Sequence, residues 1–140
     1  DVLYGEAGND YLSGDMGTDL ISGGLGRDLL GGGLGADTFD FRALSHSGIT
    51  GATSDVILDF EHLIDHINVS LIDANAMLAG NQAFVFKGTQ AFTGAGQVRY
   101  VYDQANQDTV MLFSTDADRA AEMAIRIDGI VTLTKGDFIL

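Results

Sequence analysis

Residues 1–40 read DVLYGEAGNDYLSGDMGTDLISGGLGRDLLGGGLGADTFD. Asp1, Asp10, Asp19, Asp28 and Asp37 recur every nine residues, and each is followed two positions later by an apolar residue: Leu3, Leu12, Ile21, Leu30 and Phe39. Aligned on the acid, the units are GEAGNDYLS (5–13), GDMGTDLIS (14–22), GGLGRDLLG (23–31) and GGLGADTFD (32–40), with residues 1–4 as the tail of an earlier unit. Glycine holds the first position (Gly5, Gly14, Gly23, Gly32) and the fourth (Gly8, Gly17, Gly26, Gly35). A fixed period is the mark of a stacked architecture. Six residues carrying two or more glycines turn tightly, because glycine takes positive φ without steric cost. The remaining three, x-apolar-x, form a very short strand with one side chain inward. Each unit reverses the chain once, so two units, 18 residues, close one coil. Asp10 then stacks under Asp28, while Asp1, Asp19 and Asp37 stack on the opposite side.

This stacking has a chemical consequence. Adjacent coils of a parallel sheet lie about 4.7–4.9 Å apart. An ion midway between them would sit about 2.4 Å from each, within the ~2.3–2.6 Å range of Ca²⁺–oxygen bonds, whereas Mg²⁺ demands shorter ones. Turn carbonyls would complete the shell. A flexible glycine-rich linker would carry neither a periodic acid nor a periodic apolar residue. A phosphate-cradling loop would need a following GK[ST], and stacked aspartates would repel phosphate.

The units match the RTX nonapeptide GGxGxDxUx, with U a large apolar residue, without a gap across residues 1–40. The resemblance implies a calcium-loaded parallel β-roll. In that pattern an ion takes carbonyls from positions two and four of one unit, positions one and three of the unit two later, and both aspartates. Carried over, one ion would use Glu6, Gly8, Asp10, Gly23, Leu25 and Asp28. Another would use Asp15, Gly17, Asp19, Gly32, Leu34 and Asp37, and a third, truncated site would join Asp1 to Gly14, Met16 and Asp19. Glu6 and Asp15 depart from the preferred second glycine, but their contribution would be a backbone carbonyl, so the sites are expected to survive.

Beyond Phe39 the metre stops. FDFRAL (39–44), DVILDF (55–60), DHINVSL (65–71), AFVFK (83–87), QVRYVYD (97–103), DTVMLFS (108–114), MAIRIDG (123–129) and DFIL (137–140) read as strands between Gly, Asn and Asp. Ile72–Ala79 reads as a short helix. The expected fold is all-β: a parallel β-roll over residues 1–41, capped by an antiparallel, sandwich-like region over 42–140 that covers the roll's open strand edges.

This second half resembles the C-terminal domain of serralysin-type secreted metalloproteases. The matching stretches are GADTFDF (35–41), SDVILDF (54–60), DHINVS (65–70), AFVFKGTQAFTGAGQVRY (83–100) and IRIDGIVTLTKGDFIL (125–140). The family's DF-x-x-G-x-D-x-I-D-L appears as DFEHLIDHINV (59–69), with Leu63 in place of the glycine and Asn68 in place of the last aspartate. The resemblance implies a further ion between the last repeats and this segment, held by Asp59 and Asp65 with Gly24, Gly26 and Asp28. STDADRAAEM (114–123) lacks the glycine and spaced glutamate of a calcium loop, and no metal is expected there. The ending Asp137-Phe138-Ile139-Leu140 resembles the uncleaved C-terminal signal of type I secretion substrates, read by an ABC exporter.

Composition sets the remaining bounds. The net charge of −13 excludes nucleic acid as a natural partner. Of 20 acids only Glu6, Glu61 and Glu122 are glutamate, and a bias toward the shorter carboxylate suits hard cations held near turns. With no cysteine there is neither a disulfide nor a thiolate metal site. No stretch is long and apolar enough to span a bilayer. No N-terminal signal peptide is visible, and the chain begins inside a repeat, which reads as a fragment of something longer. No catalytic constellation is expected. His62 and His66 are spaced for a zinc helix, but their segment alternates as a strand. Ser45, His46 and Ser47 are mere neighbours. Asn68-Val69-Ser70 is a glycosylation sequon in spelling only, for a protein of expected bacterial source. Phe84, Phe86, Phe92, Tyr100 and Tyr102 are expected on the core face rather than as a carbohydrate platform. The expected function is a calcium-binding module that couples folding outside the cell to type I export, with a serralysin-like zinc protease as parent. The alternative is a carbohydrate- or surface-binding module, as on alginate epimerases. A secreted monomer is expected.

Overall fold

The computed structural model describes all 140 residues. Twelve strands follow in order: β1 (Val2–Tyr4), β2 (Tyr11–Ser13), β3 (Leu20–Ser22), β4 (Leu29–Gly31), β5 (Thr38–Asp40), β6 (Asp55–Ile57), β7 (His66–Asn68), β8 (Val85–Phe86), β9 (Gln97–Asp103), β10 (Asp108–Ser114), β11 (Met123–Asp128) and β12 (Phe138–Ile139). Single 3₁₀ turns occupy Leu44–His46 and Lys135–Asp137, and there is no α-helix.

The short strands alternate between two sheets, as a chain reversing once per nine residues must. One sheet has five strands in the order β1-β3-β5-β7-β12; the other has seven, β2-β4-β6-β11-β10-β9-β8. Val2 pairs with Leu20, Leu20 with Thr38, and Tyr11 with Leu29, all in parallel. The eighteen-residue coil is therefore real. Inward residues form two columns: Leu3, Ile21, Phe39, Ile67 and Phe138 on one sheet, and Leu12, Leu30, Ile57 and Ile127 on the other. From Ile21 and Leu30 onward the columns are almost fully buried. Each such side chain contributes about 1.5–3 kcal/mol by leaving water.

The parallel stack continues past the glycine repeats. Leu30 pairs with Ile57 and Phe39 with Ile67, so the register step grows from 18 to 27 and then 28 residues while the coil geometry is kept. The loop 41–54 absorbs most of the extra length. Beyond β6, β11 adds in parallel, and β11, β10 and β9 form an antiparallel meander. Arg126 on β11 ties it together, pairing with Asp103 and, at 3.0 Å, with Asp108. One hydrophobic core runs through both halves, from Ile21 and Leu30 to Phe113, Met123 and Phe138. The expectation of an all-β roll with an antiparallel C-terminal region is met.

The expected helix at Ile72–Ala79 is absent; the segment is a series of turns. Asp73 and Asn75 capture the N–H groups of Asn75 and Met77, each two residues on. Such side-chain bonds offer the backbone an alternative to the helical ladder.

Candidate metal centre

The turns joining the strands lie at the two ends of each coil, and the aspartates stack in them as ladders. On one side Asp10 N donates to Asp28 Oδ1 at 2.9 Å, and Asp28 N donates to Asp55 Oδ1 at 2.9 Å. On the other, Asp19 N donates to Asp37 Oδ1 and Asp37 N to Asp65 Oδ1, both at 2.9 Å. The amino group of Asp1 pairs with Asp19 Oδ1 at the head of this second ladder. Each rung thus spends one carboxylate oxygen on the backbone of the preceding coil. The other oxygen is buried and has no partner in Asp10, Asp19, Asp28, Asp37 and Asp55.

Carbonyls converge on the same places. A Cβ at Gly5 would lie 2.5 Å from Gly23 O and 2.8 Å from Asp10 Oδ2; one at Gly14 would lie 2.6 Å from both Gly32 O and Asp19 Oδ2. Glycine at position one therefore leaves open a small cradle edged by oxygens of two coils. Glu6 and Asp15 hold φ of +70° and +68°, left-handed like Gly24 and Gly33 at +99° and +91°. The departures from glycine at position two thus keep the turn's backbone. Their carbonyls accept from Leu25 N and Leu34 N at 2.7 Å.

Burial without a cation is costly for these acids. It pushes the carboxyls of Asp28, Asp37 and Asp65 above their usual range, although each accepts a backbone N–H that acts the other way. Burial lifts Asp55 furthest, to about 7. Buried, unpaired carboxylate oxygens beside the carbonyl oxygens of Gly23 and Gly32 are the donor set of a hard divalent cation. The residues present fit calcium.

Most residues carried over from the repeat pattern meet as expected. Glu6, Gly8 and Asp10 face Gly23, Leu25 and Asp28, with Gly8 N bonded to Leu25 O. Asp15, Gly17 and Asp19 face Gly32, Leu34 and Asp37, with Gly17 N bonded to Leu34 O. Met16 bridges to Leu34, placing Met16 and Gly14 beside that lower turn, while Asp1 meets Asp19. One grouping is corrected. Asp59 and Asp65 do not join Gly24, Gly26 and Asp28. Asp59 accepts from Gly32 N and Gly33 N at 2.8 and 2.9 Å, and Asp65 sits under Asp37. The reason is parity: the turn after β6 lies on the same side as the turn after β4, whereas Gly24, Gly26 and Asp28 follow β3. Asp55 fills the rung below Asp28, and sequence reasoning overlooked it. Its signal was present: it stands 27 residues, three units, after Asp28, with Ile57 two positions later.

The other candidates have structural places. His62 lies in a turn with Nδ1 2.8 Å from Asp137 Oδ1, and His66 lies on β7, so they form no helical pair. Ser47 Oγ accepts from Asp55 N and donates to Ala124 O, tying the 41–54 loop to β11. Phe84, Phe92 and Tyr100 are buried, and Phe86 and Tyr102 pack against the core. Asp116, Asp118 and Glu122 have carboxylate oxygens within 4.8 Å of one another. Their loop is organised by the N–H groups of Asp118, Ala120 and Thr115, which these acids accept.

A roll of stacked coils with an oxygen-lined aspartate ladder at each end defines a calcium-binding RTX module. The family model for the serralysin C-terminal region of M10 peptidases matches residues 4–140, and the chain belongs to that family. No curated protein sequence matches it significantly. Among solved structures, the R3 subunit of the AlgE6 mannuronan C5-epimerase of Azotobacter vinelandii superposes with a TM-score of 0.72 at 25% identity, covering 99% of this chain and 72% of that one. The R2 subunit of the same enzyme superposes with a TM-score of 0.65 at 27% identity, covering 100% and 87%.

Proposed function

We propose that the chain is a calcium-gated folding module of an extracellular bacterial protein, exported through a type I ABC exporter that reads its C-terminal end. The observation that carries this reading is the set of buried, unpartnered carboxylate oxygens in Asp10, Asp19, Asp28, Asp37 and Asp55. Without a cation the ladders repel themselves and the glycine turns are entropically costly to order, so the segment stays unfolded and threads an exporter. Extracellular calcium modules bind at about 10⁻⁴–10⁻³ M, far above cytosolic free calcium. At ten times Kd each independent site adds about 1.4 kcal/mol, and three add roughly 4 kcal/mol, comparable with the whole stability of a small domain. In this reading residues 1–41 respond to calcium first and residues 42–140 close over them as a cap that carries the export signal. The module works as a monomer.

Family membership supports a serralysin-like zinc protease as the parent. The likeness to subunits of a mannuronan C5-epimerase supports a second reading, in which the module binds polysaccharide for an epimerase-like parent. Circular dichroism in calcium chloride and in chelator tests the primary reading: β signal is expected to appear with calcium, and equal signal in both buffers counts against it. Binding to uronate oligosaccharides on a glycan array would favour the second.

A further inference from the structure

In the turns of the C-terminal half, Asp73, Asp103, Asp116 and Asp118 each accept the N–H group two residues on. Asp128, the last residue of β11, is different. Its side chain is exposed and makes no hydrogen bond, and Arg126 on the same strand is engaged by Asp103 and Asp108 instead. Gly129 follows, with φ of +103° and no atom within 4 Å of where a Cβ would stand. It bridges loosely to Asp108, but its N–H meets no acceptor at hydrogen-bonding geometry. Asp–Gly occurs once in the chain and Asn–Gly nowhere. A carboxylate and the amide nitrogen next to it are thus both unengaged, at the one aspartate whose neighbour has no side chain to shield that nitrogen. Just beyond, the chain is clasped. Thr109, fully buried, donates through Oγ1 to Gly129 O at 2.9 Å and accepts from Val131 N at 2.8 Å.

We propose that Asp128–Gly129 is a site of spontaneous isomerisation, with water as its only co-reactant. Gly129 N forms a bond to Cγ of Asp128, and the carboxyl hydroxyl leaves as water with the amide proton. The product is a cyclic succinimide. Water then adds at either carbonyl of the ring. At Cγ it restores aspartate. At the α-carbonyl it breaks the original peptide bond and leaves the main chain running through Cγ, as isoaspartate. One water leaves and one enters, so mass and charge are unchanged. The peptide plane between the two residues must turn before N and Cγ meet, and glycine in open space permits that turn. Isoaspartate puts one more carbon into the main chain directly before the Thr109 clasp, so the segment that leads to β12 is loosened there. The proposal does not depend on how calcium is bound.

In the test, the full chain is aged in calcium chloride in water enriched in heavy oxygen, with circular dichroism to establish that it stays folded, and is then digested with trypsin in ordinary water. Each ring opening leaves one heavy oxygen in the peptide Ile127–Lys135, and electron-transfer fragmentation distinguishes isoaspartate from aspartate there. Label and isoaspartate are expected at Asp128 and at no other aspartate to a comparable extent; equal labelling elsewhere overturns the assignment. Asp128→Glu, which keeps the charge but needs a larger, slower-closing ring, is expected to abolish both, and label persisting in its peptide overturns the proposal. A folded chain whose Ile127–Lys135 peptide stays unlabelled, while a synthetic peptide of the same sequence takes up label, also overturns it, because the fold then protects the junction. In the isomerised fraction, amide exchange at Val131 is expected to be faster than in the parent chain, and equal protection overturns the loosening.

Discussion

Gly26 has φ of +136°, and a Cβ there would stand 1.7 Å from Gly8 O in the coil above. Two constraints coincide at one atom: a backbone that L-residues avoid and a neighbour that cannot move without unstacking the turn. Gly26→Ala is expected to cost at least about 1–3 kcal/mol from backbone strain alone and to weaken calcium binding between Asp10 and Asp28. Gly94→Ala, where a Cβ meets nothing within 4 Å, is the control and should leave the melting temperature nearly unchanged. Leu63 is the converse case. It stands where the family motif has glycine, holds φ of +62° and is 60% exposed. Leu63→Gly is expected to be neutral or to stabilise by up to about 1 kcal/mol in a thermal melt, since relief of left-handed strain offsets glycine's larger loss of entropy.

At the scale of elements, two-residue β12 depends on one carboxylate. Asp137 is fully buried and accepts from Leu63 N, His62 Nδ1, Thr134 N and Thr134 Oγ1. Burial would raise its pKa, but the Thr134 and Leu63 N–H groups and His62 outweigh that and hold it below the usual range. The acid near the chain end is thus a structural lock, whatever else the last residues signal. Asp137→Ala leaves buried donors unsatisfied and should cost about 1–3 kcal/mol. Amide exchange should speed up at Val69, whose N–H bonds to Ile139 O, before it changes in β9–β11. Unchanged protection at Val69 would show that Phe138 alone docks the strand. The strands of the meander were readable from alternation: β9 and β10 span the expected segments without a shift. The turn region after Val69 was misread because apolar spacing there imitates a helix, while Asp73 and Asn75 settle the backbone through local bonds.

For the whole molecule, the balance of charge is set by calcium and by pH together. In chelator, burial raises the folded pKa values of Asp28, Asp37, Asp55 and Asp65, so their contribution is fully present below about pH 4 and is lost as pH rises, through about 7 for Asp55. Asp137 has a lowered pKa, so its contribution is present above about pH 4 and is lost as pH falls below that. The metal-free chain is therefore expected to be most stable at roughly pH 4–5 and to unfold toward pH 8, as followed by thermal melts. Saturating calcium should reverse the trend above pH 5. A metal-free stability that rises steadily to pH 8 would contradict this account.

The nine-residue metre by itself determined the coil, its two inward columns and the ladders as far as Asp37, because each of those contacts repeats at a constant offset that periodicity records. Only the tertiary structure decided that Asp55 and Asp65 continue those ladders, that Asp59 belongs with Gly32 and Gly33, and that β11 and β12 extend the two sheets. Those contacts are made across loops of unequal length. A stacked sheet accepts any strand whose inward residue reaches its column, so the number of residues spent on the way leaves no period in the sequence.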